Sequence, residues 1–494
     1  MEPMTSGHAP GIPATSTIAD PGAAAVPANR YIGASDEPSA FVWNVPMAIL
    51  TLLVINHFAR PFEFVFAGYK IPLVICLIGV FAVVMTRALK GFLSAPGKPL
   101  IGLMIWMIVC TPFSTWRGGS AMYLLYFGGL QLVLFLLAGS APRSFRDIKR
   151  VGYIVLASSS LYILIGRPSR ADERFNLKGT FGNADDVALL AGFLLPFVIL
   201  IVQRLRNPIA KAFVLLIGCG WLVSVIGLTG TRTGLLAIAA LMMLYFFYGN
   251  LLQRLTVVAL GVLGTLAMLV LLPSTILERF ASTFKSFETE TVAEELADAK
   301  TEAGASVAER RELLHDALVM TARKPIFGVG PGEFPDYRYH FLDPSAPGGH
   351  KRFFPSHNTY LQVSSEEGIP GMLCYLGFLG ATFFSLRRSL KLNRPGSSLD
   401  WELGSQLSIC LQAALVYFAV CATFMTCERH PQQYVVAGLA VALERISRHR
   451  AAKRSTAALA GPTAPVPLRQ QPVPQPLSAA AAVTRPRSAL RRRR

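Results

Sequence analysis

Long apolar runs separated by short polar connections recur along this chain from about residue 41 onward. Twelve of them read as helices, at approximately 41–58, 67–86, 99–113, 120–138, 150–166, 185–203, 210–228, 232–249, 254–273, 367–386, 405–425 and 431–445. Crossing about 30 Å of hydrocarbon takes roughly 20 residues at 1.5 Å per residue. Most of these runs approach that length. The pattern predicts an all-α polytopic membrane protein with about twelve transmembrane helices. One long polar interval, 274–366, breaks the series and is expected to form a helical loop domain between the ninth and tenth helices. The resulting order is an N-terminal segment 1–40, membrane helices over 41–273, the loop domain, membrane helices over 367–445, and a tail over 446–494.

Composition strengthens this picture. Only 15% of the 494 residues are charged and 52% are hydrophobic, with a mean hydropathy of +0.45. A water-soluble fold of this size would lack the polar residues to cover itself. Residues 1–40 are rich in Pro, Ala, Gly and Ser and lack an apolar core segment, so they are expected to be disordered, leaving the first hydrophobic run as an uncleaved insertion signal. The seven cysteines fall within or beside apolar runs without CxxC or His/Cys spacing, which reads as small core hydrophobes rather than disulfides or zinc ligands. The formal charge of +18 raises the question of nucleic acid. However, residues 445–494 hold twelve Arg and Lys and no acid, and a Pro/Ala-rich basic tail of this kind fits anionic lipids at the cytoplasmic leaflet. No nucleic-acid partner is expected.

Charge also orients the helices. With the N-terminus inside, the short inner connections, such as RALKGFLSAPGK, SAPRSFRDIKR and QRLRNPIAK, each carry a basic excess, and the outer ones do not. Residues 274–352 hold ten Lys and Arg against thirteen Asp and Glu, the reverse of a cytoplasmic pattern. Both termini are therefore expected in the cytoplasm and the loop domain outside. Nothing repeats at a half-chain interval and intramembrane charges are sparse, which weakens a transporter reading.

Within the loop domain, TVAEELADAK (291–300) reads as a polar helix. SVAERRELLHDALVMTARK (306–324) reads as a second one, opened by a Ser306/Glu309 capping box and stopped by Pro325. The following GVGPGEF is a compact irregular turn able to expose backbone N–H groups. It lacks the GK[ST] ending of a phosphate-binding loop. The stretch from Pro335 to Gln362 mixes tyrosines, arginines and histidines in a way that suits sugar rings, with Lys351 and Arg352 at headgroup level.

Four of these segments carry a family resemblance. LTGTRTGLLAI resembles the Ser-Arg-x-Gly motif of the O-antigen ligase and polymerase superfamily, with Thr231 in place of serine and Arg232 retained. ERRELLHDALVMTARKPIFGVGPGEF resembles its arginine-bearing helix and glycine turn, and spacing from Pro325 selects Arg310, with Arg311 adjacent. SHNTYLQVSSEEGIPG resembles its His-Asn-x-x-Leu and Glu-x-Gly elements at His357, Asn358, Leu361, Glu366 and Gly368. GTFGNADDVALLAGFLLPF resembles its outer loop, with Asp185 where asparagine is common. The ordered motifs span about residues 175–385.

The resemblance implies a GT-C-like membrane glycosyltransferase of the bacterial inner membrane. Its donor would be a polyprenyl-diphosphate-linked oligosaccharide, and its acceptor a growing glycan or the lipid A core. Such an enzyme works beside a flippase and a chain-length regulator. We read the chain as a polymerase of O-antigen or exopolysaccharide repeats; an O-antigen ligase, a protein O-oligosaccharyltransferase and a lipid-linked saccharide transporter are the alternatives. Metal-independent inverting transfer, without a cofactor, is the expected chemistry. Arg232 and His357 are the catalytic candidates: arginine pairs with phosphate in a planar fork, and imidazole titrates near the working pH. Arg310, Arg311, Asn358, Glu366, Asp185 and Asn183 are the substrate-binding candidates. Several also admit structural roles: Asn358 and Asp185 at helix starts, and Glu366 as a partner of another segment such as Arg232.

Overall fold

In a computed structural model, the described residues are 44–61, 71–168, 174–177, 182–249, 251–271, 302–342, 354–393 and 399–459. The N-terminal segment, the 291–300 helix, Lys351, Arg352 and the end of the basic tail lie outside them.

Each of the twelve apolar runs coincides with a helix. They are α1 Val45–Phe58, α2 Ile71–Met85, α3 Gly97–Cys110, α4 Arg117–Ser140, α5 Phe145–Leu164, α6 Ala184–Arg204, α7 Pro208–Thr229, α8 Arg232–Tyr248 and α9 Leu251–Leu271, followed after the loop domain by α11 Thr359–Asn393, α12 Leu399–Ala422 and α13 Pro431–Leu459. Between α9 and α11, helix α10 spans Glu302–Arg323, close to its expected position. Five helices (α4, α6, α7, α11 and the Glu402–Ala422 part of α12) are long and apolar enough to cross a membrane, and α1, α2, α3, α8 and α9 include shorter apolar helices.

Two boundaries differ from the sequence reading. α11 begins at Thr359 rather than 367, because Asn358 caps it by accepting from Leu361 N at 2.9 Å. The apolar run is only its second part, after a break at Gly368 (φ 70°). α13 runs to Leu459, well past the apolar stretch, its basic second half continuing the helix.

Packing follows the membrane logic of polar groups inside and apolar groups outside. α6 is the central helix, with Val187, Leu189, Leu190, Phe193 and Leu194 fully buried. Large apolar side chains such as Leu73, Phe81, Leu161, Phe213, Leu216, Phe247 and Leu252 instead stand exposed, a distribution suited to lipid rather than water. Cys110, Cys410, Cys421 and Cys427 are buried as core residues.

Between α5 and α6 a small antiparallel pair, β1 Arg167–Pro168 and β2 Phe175–Asn176, sets Arg167 opposite Asn176. It places Arg174 beside the first turn of α6. α6 is 21 residues long, about 31 Å at 1.5 Å per residue. Its acidic start and its Arg204 end therefore lie at opposite ends of the bundle.

Candidate functional site

The site builds from the first turn of α6. Asn183 caps that helix, its side chain accepting from Asp185 N at 3.4 Å. Asn183, a substrate-binding candidate in the sequence, is here a helix cap. Asp185 is 5% exposed and holds two cations: Arg310 Nη2 at 3.0 Å from Oδ2 and Arg174 Nη2 at 3.9 Å from Oδ1. Arg310 projects from α10, so this ion pair joins α10 to the first turn of α6. Arg311, one residue on, rotates about 100° round the helix and stands exposed. The geometry thus favours Arg310, as the spacing from Pro325 did.

Arg174 connects the acid to the other arginine motif. Its Nε donates to Thr229 O at 2.7 Å, at the end of α7, and the Thr229 hydroxyl lies 3.0 Å from that of Thr231. Arg232 is the first residue of α8 and half-buried. Gly230, in the left-handed region (φ 62°), makes the tight reversal between α7 and α8. The next glycine packs closely: a Cβ on Gly234 would lie 2.6 Å from Ile226 and 3.3 Å from Ala188, so the start of α8 is seated against α6. The chain of contacts from Thr231 to Arg310 puts Arg232, Asp185 and Arg310 at one end of the bundle.

His357 reaches the same end from the loop domain. Its backbone is left-handed (φ 53°), a conformation that costs a residue other than glycine on the order of 1 kcal/mol or more. The flanking residues over-determine it. Ser356 Oγ donates to Asn358 O at 2.8 Å, Ser356 N donates to Gln362 Oε1 at 3.1 Å, and Asn358 caps α11. Asn358 therefore has the capping role weighed for it in the sequence. Burial and then the charge of Arg310 hold the His357 imidazole below its ordinary value of 6.5, while Asp185 pulls in the opposite direction. The ring is neutral at neutral pH and half-buried, the condition a general base needs.

Glu366 departs from its expected place. It is 0% exposed, and its carboxylate accepts from Gly332 N at 2.8 Å, Phe334 N at 3.1 Å and Gln362 Nε2 at 2.9 Å. The cation beside it is Arg429, not Arg232. Instead of lining a substrate site, Glu366 clamps the glycine turn. Further bonds complete the clamp: Val329 N to Ser365 O at 2.8 Å, Gly330 N to Glu366 O at 2.9 Å and Ile369 N to Pro325 O at 2.8 Å. The turn, read in the sequence as compact and able to expose N–H groups, has those of Val329, Gly330, Gly332 and Phe334 engaged by α11. Gly328 and Gly368 are required for this approach, since a Cβ on either would come within 2.2 Å of a backbone oxygen, Glu366 O and Ile326 O respectively.

Sequence reasoning missed Arg174, which sits in a loop of mixed charge with no periodicity to single it out. It also missed the α12–α13 connection, TCERHP. There Glu428 bonds the Tyr123 hydroxyl, Arg429 lies 5.0 Å over the Tyr123 ring, and His430 sits 3.7 Å from Asp186. The signal available was three polar residues in succession between two apolar runs.

As assembled, Arg174 and Arg310 converge on Asp185 with Arg232 at the same end, a set of guanidinium groups of the kind that pairs with phosphate oxygens, and the His357 imidazole stands beside them. No curated protein matches the chain. Residues 217–376, running from α7 through α10 into α11, match the family model described as Wzy_C, O-antigen ligase, so that part of the chain is similar to O-antigen ligases.

Proposed function

We propose that the protein polymerises polyprenyl-diphosphate-linked oligosaccharide repeats at the outer face of a bacterial inner membrane, as an inverting, metal-independent glycosyltransferase. The coarser class, a membrane enzyme of the O-antigen ligase and polymerase type, follows from the family match. One observation carries the finer reading: Arg310 meets Asp185 at 3.0 Å with the His357 imidazole in the field of both.

In this reading the donor diphosphate competes with Asp185 for Arg310 and is held by Arg232 from α8. Guanidinium forks match phosphate oxygens and stay charged at any working pH. Neutral His357 accepts the proton of an acceptor hydroxyl. The hydroxyl oxygen forms a bond to the anomeric carbon as the bond from that carbon to the diphosphate oxygen breaks, and the leaving diphosphate departs with the electron pair onto the arginines. A single displacement inverts the anomeric configuration. Twelve membrane crossings with both termini in the cytoplasm, a flippase delivering the donor and a chain-length regulator complete the proposed setting.

The test uses cells in which this protein is the sole enzyme of its kind. With Arg232→Ala and His357→Ala expressed and folded in the membrane, we expect the polysaccharide ladder to collapse to single repeats while lipid-linked donor accumulates. A normal ladder in either variant would falsify the assigned role. Full-length ladders retained on the polyprenyl carrier and missing from lipid A core would instead assign the protein to ligation.

A further inference from the structure

The end of the bundle opposite the candidate site carries a second concentration of charge. α5 starts behind a capping box in which Ser144 and Asp147 each accept from the other's backbone N–H. This fixes the register so that Arg146, Lys149 and Arg150 stand at i, i+3 and i+4 on one helix face. Lys149 Nζ lies 5.7 Å over the ring of Tyr153. α6 packs against α5, where a Cβ on Gly152 would meet the Phe197 ring at 2.9 Å. α6 then ends in Arg204, which joins Arg146 and Arg150 in acting electrostatically on Lys149. Asp147, on the same face, is already engaged by Arg150 at 3.2 Å and by the N–H groups of Arg143 and Ser144.

Four like charges gathered within a Debye length repel one another unless an anion joins them. The stripe running from Arg146 and Arg150 along α5 continues through Ala157 to Leu161 and Leu164, which are 62% and 66% exposed. A cationic group at the head of an exposed apolar stripe fits an amphiphile with an anionic head, and a free inorganic anion would have no use for the stripe.

We propose that Arg146, Lys149, Arg150 and Arg204 bind the phosphate of an anionic phospholipid whose acyl chains lie along the Ala157, Leu161 and Leu164 stripe of α5. The site belongs to the leaflet opposite the Asp185 and His357 end, and it stands independently of the proposed transfer reaction.

The full chain would be reconstituted in phosphatidylcholine nanodiscs containing phosphatidylglycerol, and the retained phosphatidylglycerol counted by native mass spectrometry. Substituting Arg146→Gln together with Lys149→Gln is expected to lower that retention about tenfold, the order expected when two cations leave an anionic surface. A control pair, Arg387→Gln with Lys391→Gln, both exposed in α11, removes the same charge elsewhere and is expected to retain the lipid. Arg204→Gln, at the far side of the same cluster, repeats the test should the double variant not fold. Unchanged retention in the α5 and α6 variants, equal loss in the control pair, or release of the lipid by inorganic phosphate would each overturn the proposal.

Discussion

Two regions rich in ionisable side chains, one around Glu366 and one around Asp185, are built on opposite terms. In one, Glu366 and Glu367 of α11 and Glu428 of the α12–α13 connection are buried, with Tyr123 and Arg429 against Glu428. There the Glu366 carboxylate is fully occupied by backbone N–H groups and Gln362. In the other, Arg310 is 38% exposed at its side chain, Arg174 is 18% exposed, and both converge on a single carboxylate. The first uses a buried carboxyl group to fix backbone, so removing it leaves buried N–H groups unsatisfied. The second holds cations in excess over their acid near the surface, where an incoming anion can take the acid's place. Position in the family motifs does not separate the two regions, since Glu366 and Arg310 both lie within them; accessibility of the charge does.

Substitutions should therefore divide into those that cost folded protein and those that cost turnover. The largest effect is expected for Gly368→Ala, whose Cβ would lie 2.1 Å from Ile326 O at a left-handed backbone position. No folded protein should be recovered, as read by size-exclusion chromatography of the membrane extract. Glu366→Ala comes next. It strands the N–H groups of Gly332 and Phe334, at a cost of about 1–3 kcal/mol each, and should depress the thermal midpoint sharply, with Glu366→Gln recovering part of the loss. If instead Glu366→Ala keeps its stability and loses only turnover, the division between the two regions fails.

At the second region, Arg310→Gln should lower the rate of the proposed glycan transfer about 100-fold or more, the scale for losing a group that stabilises developing charge, with folded yield unchanged. Arg311→Gln should leave both nearly unaltered. Smaller still is the pH effect. In the proposed mechanism His357 acts as a base when neutral, and burial and the Arg310 charge lower its pKa from the ordinary value, so the acid limb of the rate should lie below that of an ordinary imidazole. Removing the Arg310 charge takes away an influence that lowers this pKa, so the residual rate of Arg310→Gln should begin to fall at a higher pH than wild type. An acid limb that stays in place would separate His357 from Arg310. The smallest change is expected for Asn358→Ala, which removes the cap of α11 at about 1 kcal/mol and should lower the midpoint by a few degrees.

Sequence alone determined the membrane class, the positions of the helices and the motifs that supply Arg232, Arg310 and His357. These are properties of short stretches: an apolar run sets a helix and Pro325 stops one. Only the tertiary structure decided which charge meets which. Arg310 and Arg311 are neighbours in sequence, yet one turns toward Asp185 and the other stands exposed, because a helix rotates each residue by about 100°. Glu366 was legible as important but not as the clamp of a turn more than thirty residues earlier in the chain. Arg174 and the Glu428, Arg429 and His430 triplet gave no periodic signal, since their partners lie across the bundle. Hydropathy reports the solvent a residue prefers, whereas an ion pair depends on distance between side chains, and packing alone sets that distance.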